Sequence, residues 1–399
     1  MSDTPWLTIV GLGEDGLDGL STASRKALQA AEIVMGAKRH LELLPDLAAE
    51  CVVWPVPFAD GLPRLLALRG RAVVVLASGD PFWFGAGSSI ARQLDADEWR
   101  ALPGVSVFSL AAARLGWALE RTVTLGLHAA PLTRLQPYLA PGQRVIVLLR
   151  DGAAVAALAA HLRETGFSDS ILHVCERLGG PRERLRAGVA ANPGFDDIAH
   201  PVCIGLEVGG AGRTLPLVAG RPDDTFESDG QITKAPMRAL TLAALAPRAG
   251  EHLWDIGGGS GAVAIEWLLA HPGLSATSIE PRADRAERIR RNADRLGVDR
   301  LDIRQGHAPA ALDGLRTPNA VFIGGGLSET MLTWLRARLT PGTRLVANAV
   351  TLESEALLAA AQAELGGMLT RIELAQAAPL GGKRGWKAAY PLVQWSVTL

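Results

Sequence analysis

The chain of 399 residues is poor in cysteine, tyrosine, lysine and net charge. Cys51, Cys175 and Cys203 are too few and too scattered for a disulfide framework or a zinc cluster, so a reducing, cytoplasmic setting is expected and no metal site is. Forty basic against 41 acidic side chains leave a formal charge of -1, which supplies no overall field for gripping nucleic acid or an anionic membrane. Any anionic ligand must meet a local cluster. That cluster would be mostly arginine, because Lys26, Lys38, Lys234, Lys383 and Lys387 are the only lysines. Arginine suits bidentate carboxylate contacts, although a coding bias explains the ratio equally well. Long apolar runs are missing too. The richest alanine/leucine stretch, around Ala153 to Leu162, falls short of the roughly 18 to 20 residues that span a bilayer. The opening residues lack a basic segment followed by an apolar run, so no signal peptide and no membrane partner are expected.

Hydrophobic residues at 48% and charged residues at 20% match a soluble globular protein and argue against global disorder. The length calls for two or more domains. Short β-branched runs alternate with alanine/leucine-rich helical stretches, the α/β signature of parallel sheets. Trp6 to Val10, Arg71 to Ala77, Arg144 to Leu149, Ile171 to Cys175 and Val202 to Leu206 read as strands in the first half. Leu253 to Ile256, Ala276 to Glu280, Leu301 to Arg304, Ala320 to Ile323 and Arg344 to Asn348 do so in the second. A Gly-, Pro- and Asp-rich stretch without periodicity separates them. The expected organisation is a domain over 1–210 with two lobes breaking near Pro103, a linker and entry segment over 211–235, and a domain over 236–399.

The sharpest local pattern is Trp254-Asp-Ile-Gly-Gly-Gly-Ser-Gly261, in which a strand ends in a glycine turn ahead of a helix starting at Ala262. Gly257, Gly259 and Gly261, with Gly258 and Ser260 between them, let backbone pass close to a nucleoside. Glu280, at the end of the next strand, is placed to accept ribose hydroxyls. Asp255 ahead of the glycines fits S-adenosylmethionine proteins, while Gly257-x-Gly259-x-x-Ala262 also fits a dinucleotide fingerprint, and a tight structural turn needs no ligand at all. The first half has a weaker strand and loop, Ile9-Val-Gly-Leu-Gly13, in which Gly11 and Gly13 are candidate ligand positions. Two more small-residue loops follow, Ser78-Gly79-Asp80-Pro-Phe-Trp83 and Pro103-Gly-Val-Ser106-Val107. Asp80 also reads as an ordinary turn aspartate and Trp83 as core.

These three loops, in this order, make the first half resemble the tetrapyrrole (corrin/porphyrin) methylase family, with Glu14 where that family usually has proline and Ser78 where it often has glycine. The second half resembles the cobalamin-pathway methyltransferases of the seven-stranded adenosylmethionine fold. The residues that carry this are Pro222-Asp-Asp-Thr-Phe226, Gln231-Ile-Thr-Lys234, the Asp255 to Gly261 loop, Gln305-Gly-His-Ala-Pro309 and Phe322-Ile-Gly-Gly-Gly326. The order of the halves resembles the fused members of that pathway. The fold implied is α/β throughout: a bilobal N-terminal tetrapyrrole methylase fold followed by a C-terminal seven-stranded Rossmann-like methyltransferase fold. The resemblance implies one S-adenosylmethionine near Thr233, Gly257 to Gly261, Glu280 and Ala308, and another near Ser78, Gly79, Asp80, Trp83, Ser106 and Val107. It also implies the corrin precursor precorrin-6Y as substrate, methylated at carbons 5 and 15 with decarboxylation of the ring C acetate, and a homo-oligomer.

Such a substrate is a polyacid. Lys234 and Arg238, with Arg114 and Arg121 in the first half, are candidate carboxylate partners, and a solvated surface role is the plain alternative for each. His307, Asn348 and Thr351 follow strands of the second domain at the ligand-binding end. No residue is assigned a catalytic role. Two other readings stay open: a nicotinamide-dependent oxidoreductase using the Gly257 loop, and a non-catalytic nucleoside sensor.

Overall fold

The computed structural model describes residues 5–44 and 47–399. The expected start of the first domain, residues 1–4, lies outside them. Chain contacts divide the molecule into two units, one of residues up to 132 and 138–213, the other of 133–137 and 214–399.

The first unit holds two sheets. Strands β1 (Leu7–Leu12), β2 (Ile33–Gly36), β3 (Glu50–Val53), β4 (Val73–Ser78) and β5 (Trp99–Leu102) form an all-parallel sheet in the order β3-β2-β4-β1-β5. Both faces of its centre are covered, and β1 is buried along all its residues. That explains why it reads as a continuous apolar run. The second sheet has β6 (Val123–Gly126), β7 (Arg144–Leu149), β8 (Ile171–Glu176), β9 (Arg184–Val189) and β10 (Val202–Glu207), in the order β6-β7-β10-β8-β9 and mostly antiparallel. The sheets change over just after Leu102. The helix Gly152–Glu164, capped by Asp151, accounts for the alanine/leucine stretch.

The second unit carries β11 (His252–Ile256), β12 (Ser275–Glu280), β13 (Asp302–Gln305), β14 (Ala320–Ile323), β15 (Arg344–Ala349), β16 (Met368–Ile372), the hairpin β17 (Ala375–Leu380) and β18 (Lys383–Ala388), and β19 (Leu392–Thr398). Seven of these make one sheet in the order β13-β12-β11-β14-β15-β19-β16, with β19 antiparallel to both neighbours. Helices Ala262–Ala270 and Ala283–Arg295 and helix Ala235–Leu245 pack around Trp267, which is fully buried and donates its indole N–H to the Ser275 carbonyl at 3.1 Å. On the other side Trp395 is equally buried and donates to the Gly366 carbonyl at 2.9 Å. Each buried indole thus removes a large apolar area from water without orphaning its donor.

The segment over 211–235, expected as a linker and entry segment, belongs from Thr214 onward to the second unit. Leu215 and Phe226 sit in its core, and Arg221 and Thr225 are buried beside them. The low periodicity arises because this segment is held by side-chain anchors rather than by regular structure.

Candidate functional sites

Each unit has one large cavity at the carboxyl ends of its parallel strands. In the second unit the strand order reverses between β11 and β14, the crevice where open α/β sheets bind ligands. A cavity of about 1000 Å³ opens there, lined by Gly257 to Ser260, Ile279, Glu280, Gly306 to Ala308, Phe322 and Gly324 to Gly326, with Thr233 and Lys234 on another wall. Gly257, Gly259 and Gly261 have φ of 76°, 59° and 75°, the left-handed region that favours glycine. Their environments differ. A Cβ on Gly257 would lie 2.6 Å from the Gly325 nitrogen, and one on Gly258 would lie 2.2 Å from Ser278 Oγ. A Cβ on Gly259 would find no atom nearer than 3.1 Å, because it faces the cavity. Gly261 does not line the cavity and packs against Ile289.

Glu280 is buried at the cavity wall. Its Oε2 accepts the Gly259 N–H at 2.8 Å and its Oε1 the Arg282 N–H at 3.1 Å. The carboxylate is therefore fixed, with unused lone pairs. These residues fit an adenosine: backbone without side chains, an anchored acceptor, and apolar walls from Ile256, Ile279, Ala308 and Phe322. Beneath lies Asp255, fully desolvated, whose carboxyl is pushed up to about 7 by burial. Ser278 Oγ donates to it at 3.1 Å.

Among the expected substrate residues, Lys234, His307 and Asn348 line the cavity. Lys234 pairs with Asp223 at 3.6 Å. Asn348 donates to Thr241 Oγ1 at 2.9 Å and accepts from Gln394 at 3.0 Å. Two expectations are corrected. Arg238 has no exposed surface: its Nε donates to Glu266 at 2.8 Å and Nη1 to Asp223 at 3.2 Å, further donors reach the Thr233 and Arg221 carbonyls, and its guanidinium lies over Phe226. It underlies the wall and reaches no ligand. Thr351 is outside the cavity lining and caps the helix Leu352–Leu365, accepting the Ser354 N–H at 3.3 Å.

In the first unit a cavity of about 710 Å³ is lined from both sheets, with Gly13, Ser78, Gly79, Asp80, Trp83, Ser106 and Val107 all on its wall. Gly11 does not line it. A Cβ there would lie 1.9 Å from the Gly79 carbonyl, so its role is to let two loops touch. Asp80 Oδ1 accepts the Phe82 N–H at 2.8 Å and holds the turn, and Trp83 stacks on Phe108. Ser106 caps the helix Val107–Leu115. Small residues and apolar walls fit a nucleoside here as well.

Sequence reading missed the polar side of this cavity, where Arg39, His40, His128, Arg150 and His200 meet. Glu14, the departure from the usual proline, is the counter-ion of Arg39. Arg39 also donates to Ser78 Oγ at 3.0 Å, and His40 Nε2 lies 2.9 Å from the same hydroxyl. Burial, reinforced by the adjacent Arg39 charge, depresses His40 to about 4, so its imidazole is neutral near pH 7. Arg114 and Arg121 are elsewhere; Arg114 is held by Glu183. No local motif could have brought these residues together, since the Arg39-His40 pair, His128, Arg150 and His200 come from four separate segments of the chain.

Two crevices at the carboxyl ends of parallel sheets, each with a glycine-bearing turn and an anchored carboxylate or hydroxyl, make this an α/β protein with two candidate ligand sites. The comparisons specify the class. Residues 6–193 match the family described as Tetrapyrrole (Corrin/Porphyrin) Methylases, and residues 224–399 match a Precorrin methyltransferase domain. A Sinorhizobium precorrin-6Y C(5,15)-methyltransferase (decarboxylating) is 49% identical over 99% of this chain and 97% of its own length. The protein of the same name from Mycobacterium tuberculosis is 43% identical over 98% of this chain and 99% of its own. A crystal structure of the C-terminal domain of the Rhodobacter capsulatus precorrin-6Y C5,15-methyltransferase is 59% identical, covering 46% of this chain and all of that one, with a TM-score of 0.45. The chain belongs to the precorrin-6Y C(5,15)-methyltransferase (decarboxylating) family. Among the described residues no helix is long and apolar enough to cross a membrane.

Proposed function

We propose that this chain is a bifunctional methyltransferase of cobalamin biosynthesis, methylating precorrin-6Y at carbons 5 and 15 and decarboxylating its ring C acetate. Near-full-length identity to fused relatives of that name carries the reading. The presence of a separate cavity in each unit supports two sites.

S-adenosylmethionine, when bound, supplies an electrophilic methyl group. The chain's own part is to hold and align the reactants and exclude water. In the second unit Glu280 would accept the ribose hydroxyls, the Gly257 to Ser260 backbone would run beside the nucleoside, and Thr233 and Ala308 would flank it. Lys234, His307 and Asn348 would face the corrin precursor. In the first unit Gly13, Ser78, Gly79, Asp80, Trp83, Ser106 and Val107 would hold the nucleoside. Decarboxylation breaks the bond between the acetate methylene and its carboxyl carbon; carbon dioxide leaves, the electron pair passes into the macrocycle, and a proton returns to carbon. A protonated ring nitrogen of the substrate is sufficient sink, so the protein need only place the acetate in an apolar wall and keep the tautomer.

Calorimetry with S-adenosylhomocysteine should find about two sites per chain. Incubation with S-adenosylmethionine and the reduced corrin precursor should add two methyl groups and release one carbon dioxide. Hydride exchange with NADPH, or binding without turnover, would refute the reading in favour of the oxidoreductase or the sensor. The same resemblance carries a cytoplasmic homo-oligomer, checked by cell fractionation and light scattering.

A further inference from the structure

The hairpin of β17 and β18 stands apart from the seven-stranded sheet and is exposed along most of its length. Isolated two-stranded ribbons are marginal in water, and the register Leu380↔Lys383 closes this one over Gly381-Gly382, with Gly381 at φ 58°. Its charge is one-sided. No acidic residue follows Glu373, whereas Lys383, Arg384 and Lys387 lie on β18, two of them among the chain's five lysines. Among the described residues none of these three cations has an ion-pair or side-chain hydrogen-bond partner. By contrast Lys234, across the cavity, is paired with Asp223.

The hairpin also belongs to the second cavity. Gln376, Ala378 and Lys387 line it, as does Tyr390, whose ring is 89% exposed. The cross-strand register puts Gln376 opposite Lys387 and Leu380 opposite Lys383, so alternation along the strand sets both lysines on one face with these lining residues. Leaving Lys387 unpaired beside a bare aromatic in the cavity lining, with Lys383 unpaired on the same face of the hairpin, costs little in water, but it supports nothing in the fold. An anionic, flat ligand would use both features at once.

We propose that this hairpin is the substrate-recognition arm of the second site. Lys387 and Lys383 hold peripheral carboxylates of the tetrapyrrole, and Tyr390 covers its ring face. This rests on the functional reading above and deepens it by naming the residues that select a polyacid.

The test uses the full-length protein and two stable probes, a porphyrin octa-acid and the matching tetra-acid. Emission of Trp386, isolated as the difference from Trp386→Phe, reports binding at the hairpin. The octa-acid should quench it at lower concentration than the tetra-acid, and added salt should raise the midpoint. Lys383→Gln/Lys387→Gln should raise the octa-acid midpoint about 3- to 30-fold and flatten its salt dependence, the sum of two exposed charge contacts. Lys383→Arg/Lys387→Arg should restore it. S-adenosylhomocysteine binding should not change. An unchanged midpoint and salt slope in the glutamine variant overturns the proposal, as does a changed oligomeric state with unchanged probe affinity. The functional reading fails separately, if the wild-type protein methylates no corrin precursor.

Discussion

Replacing Asp255 by asparagine tests the electrostatics under the second cavity. The carboxyl is fully buried with Ser278 Oγ as its side-chain donor, and burial moves it from 3.8 to about 7. A raised acid binds its proton more tightly when folded, so the stability this contributes is complete below the unfolded value and is lost as pH rises to about 7. At about 1.4 kcal/mol per pH unit, halving as the group half-titrates near 7, the loss is about 2 kcal/mol between pH 5 and pH 7 and levels off at about 3 kcal/mol by about pH 8. Asparagine keeps an acceptor for Ser278 and does not titrate. Urea unfolding of the wild type and Asp255→Asn at pH 5, 6, 7 and 8 should therefore show the variant gaining about 3 kcal/mol on the wild type across that range, in the transition of the second unit alone. A difference constant with pH to within about 0.5 kcal/mol would refute the assignment of a neutral, buried carboxyl.

Gly259→Arg fills the open side of the glycine turn and should abolish S-adenosylhomocysteine binding at the second site while the first remains; calorimetric loss of both sites would contradict independent sites. Gly11→Ala drives a methyl into the Gly79 carbonyl and should destabilise the first unit by about 1–3 kcal/mol and weaken its site alone, measured by the same titration and by thermal unfolding. Arg238→Met leaves Glu266 buried and without its closest charged partner, and should cost the second unit about 3–5 kcal/mol in urea unfolding, far more than a cavity arginine would.

All ten strands expected from the sequence are present, most of them as buried runs with two covered faces, although Asp302–Gln305 is a partly exposed edge strand. Those it did not reveal are mostly short, exposed or edge strands; the exception is Leu392–Thr398, buried between β15 and β16. Glu50–Val53 is mostly exposed, and Arg184–Val189 alternates charged with smaller residues at a sheet margin, where burial leaves no continuous apolar signal. In the sites, the glycines and Glu280 were legible because their chemistry is local to one strand end. Arg238 was misplaced because its neighbours in sequence do not reveal Glu266, the buried counter-ion that turns it inward. Thr351, a favoured N-cap residue with Glu353 and Glu355 in the first turn after it, did carry a capping signal, outweighed by its position after a strand. The edge made by the Arg39-His40 pair, Arg150 and His200 needed the fold itself, since three segments distant in sequence supply it.

The placement of β19 between β15 and β16 has a bearing on synthesis and quality control. Residues 344–349 meet their partner only when 393–398 have been made, and Trp395 fills its slot in the core at the same moment. The second unit is thus a late-closing structure of high sequence separation, while both sheets of the first are complete by Glu207. A nascent or clipped chain that stops within the exposed hairpin would present β15 as a bare strand edge beside an unfilled tryptophan site, a template for aggregation and a mark for degradation. Completion of the second site and disposal of truncated chains would then be governed by one strand, the last to join.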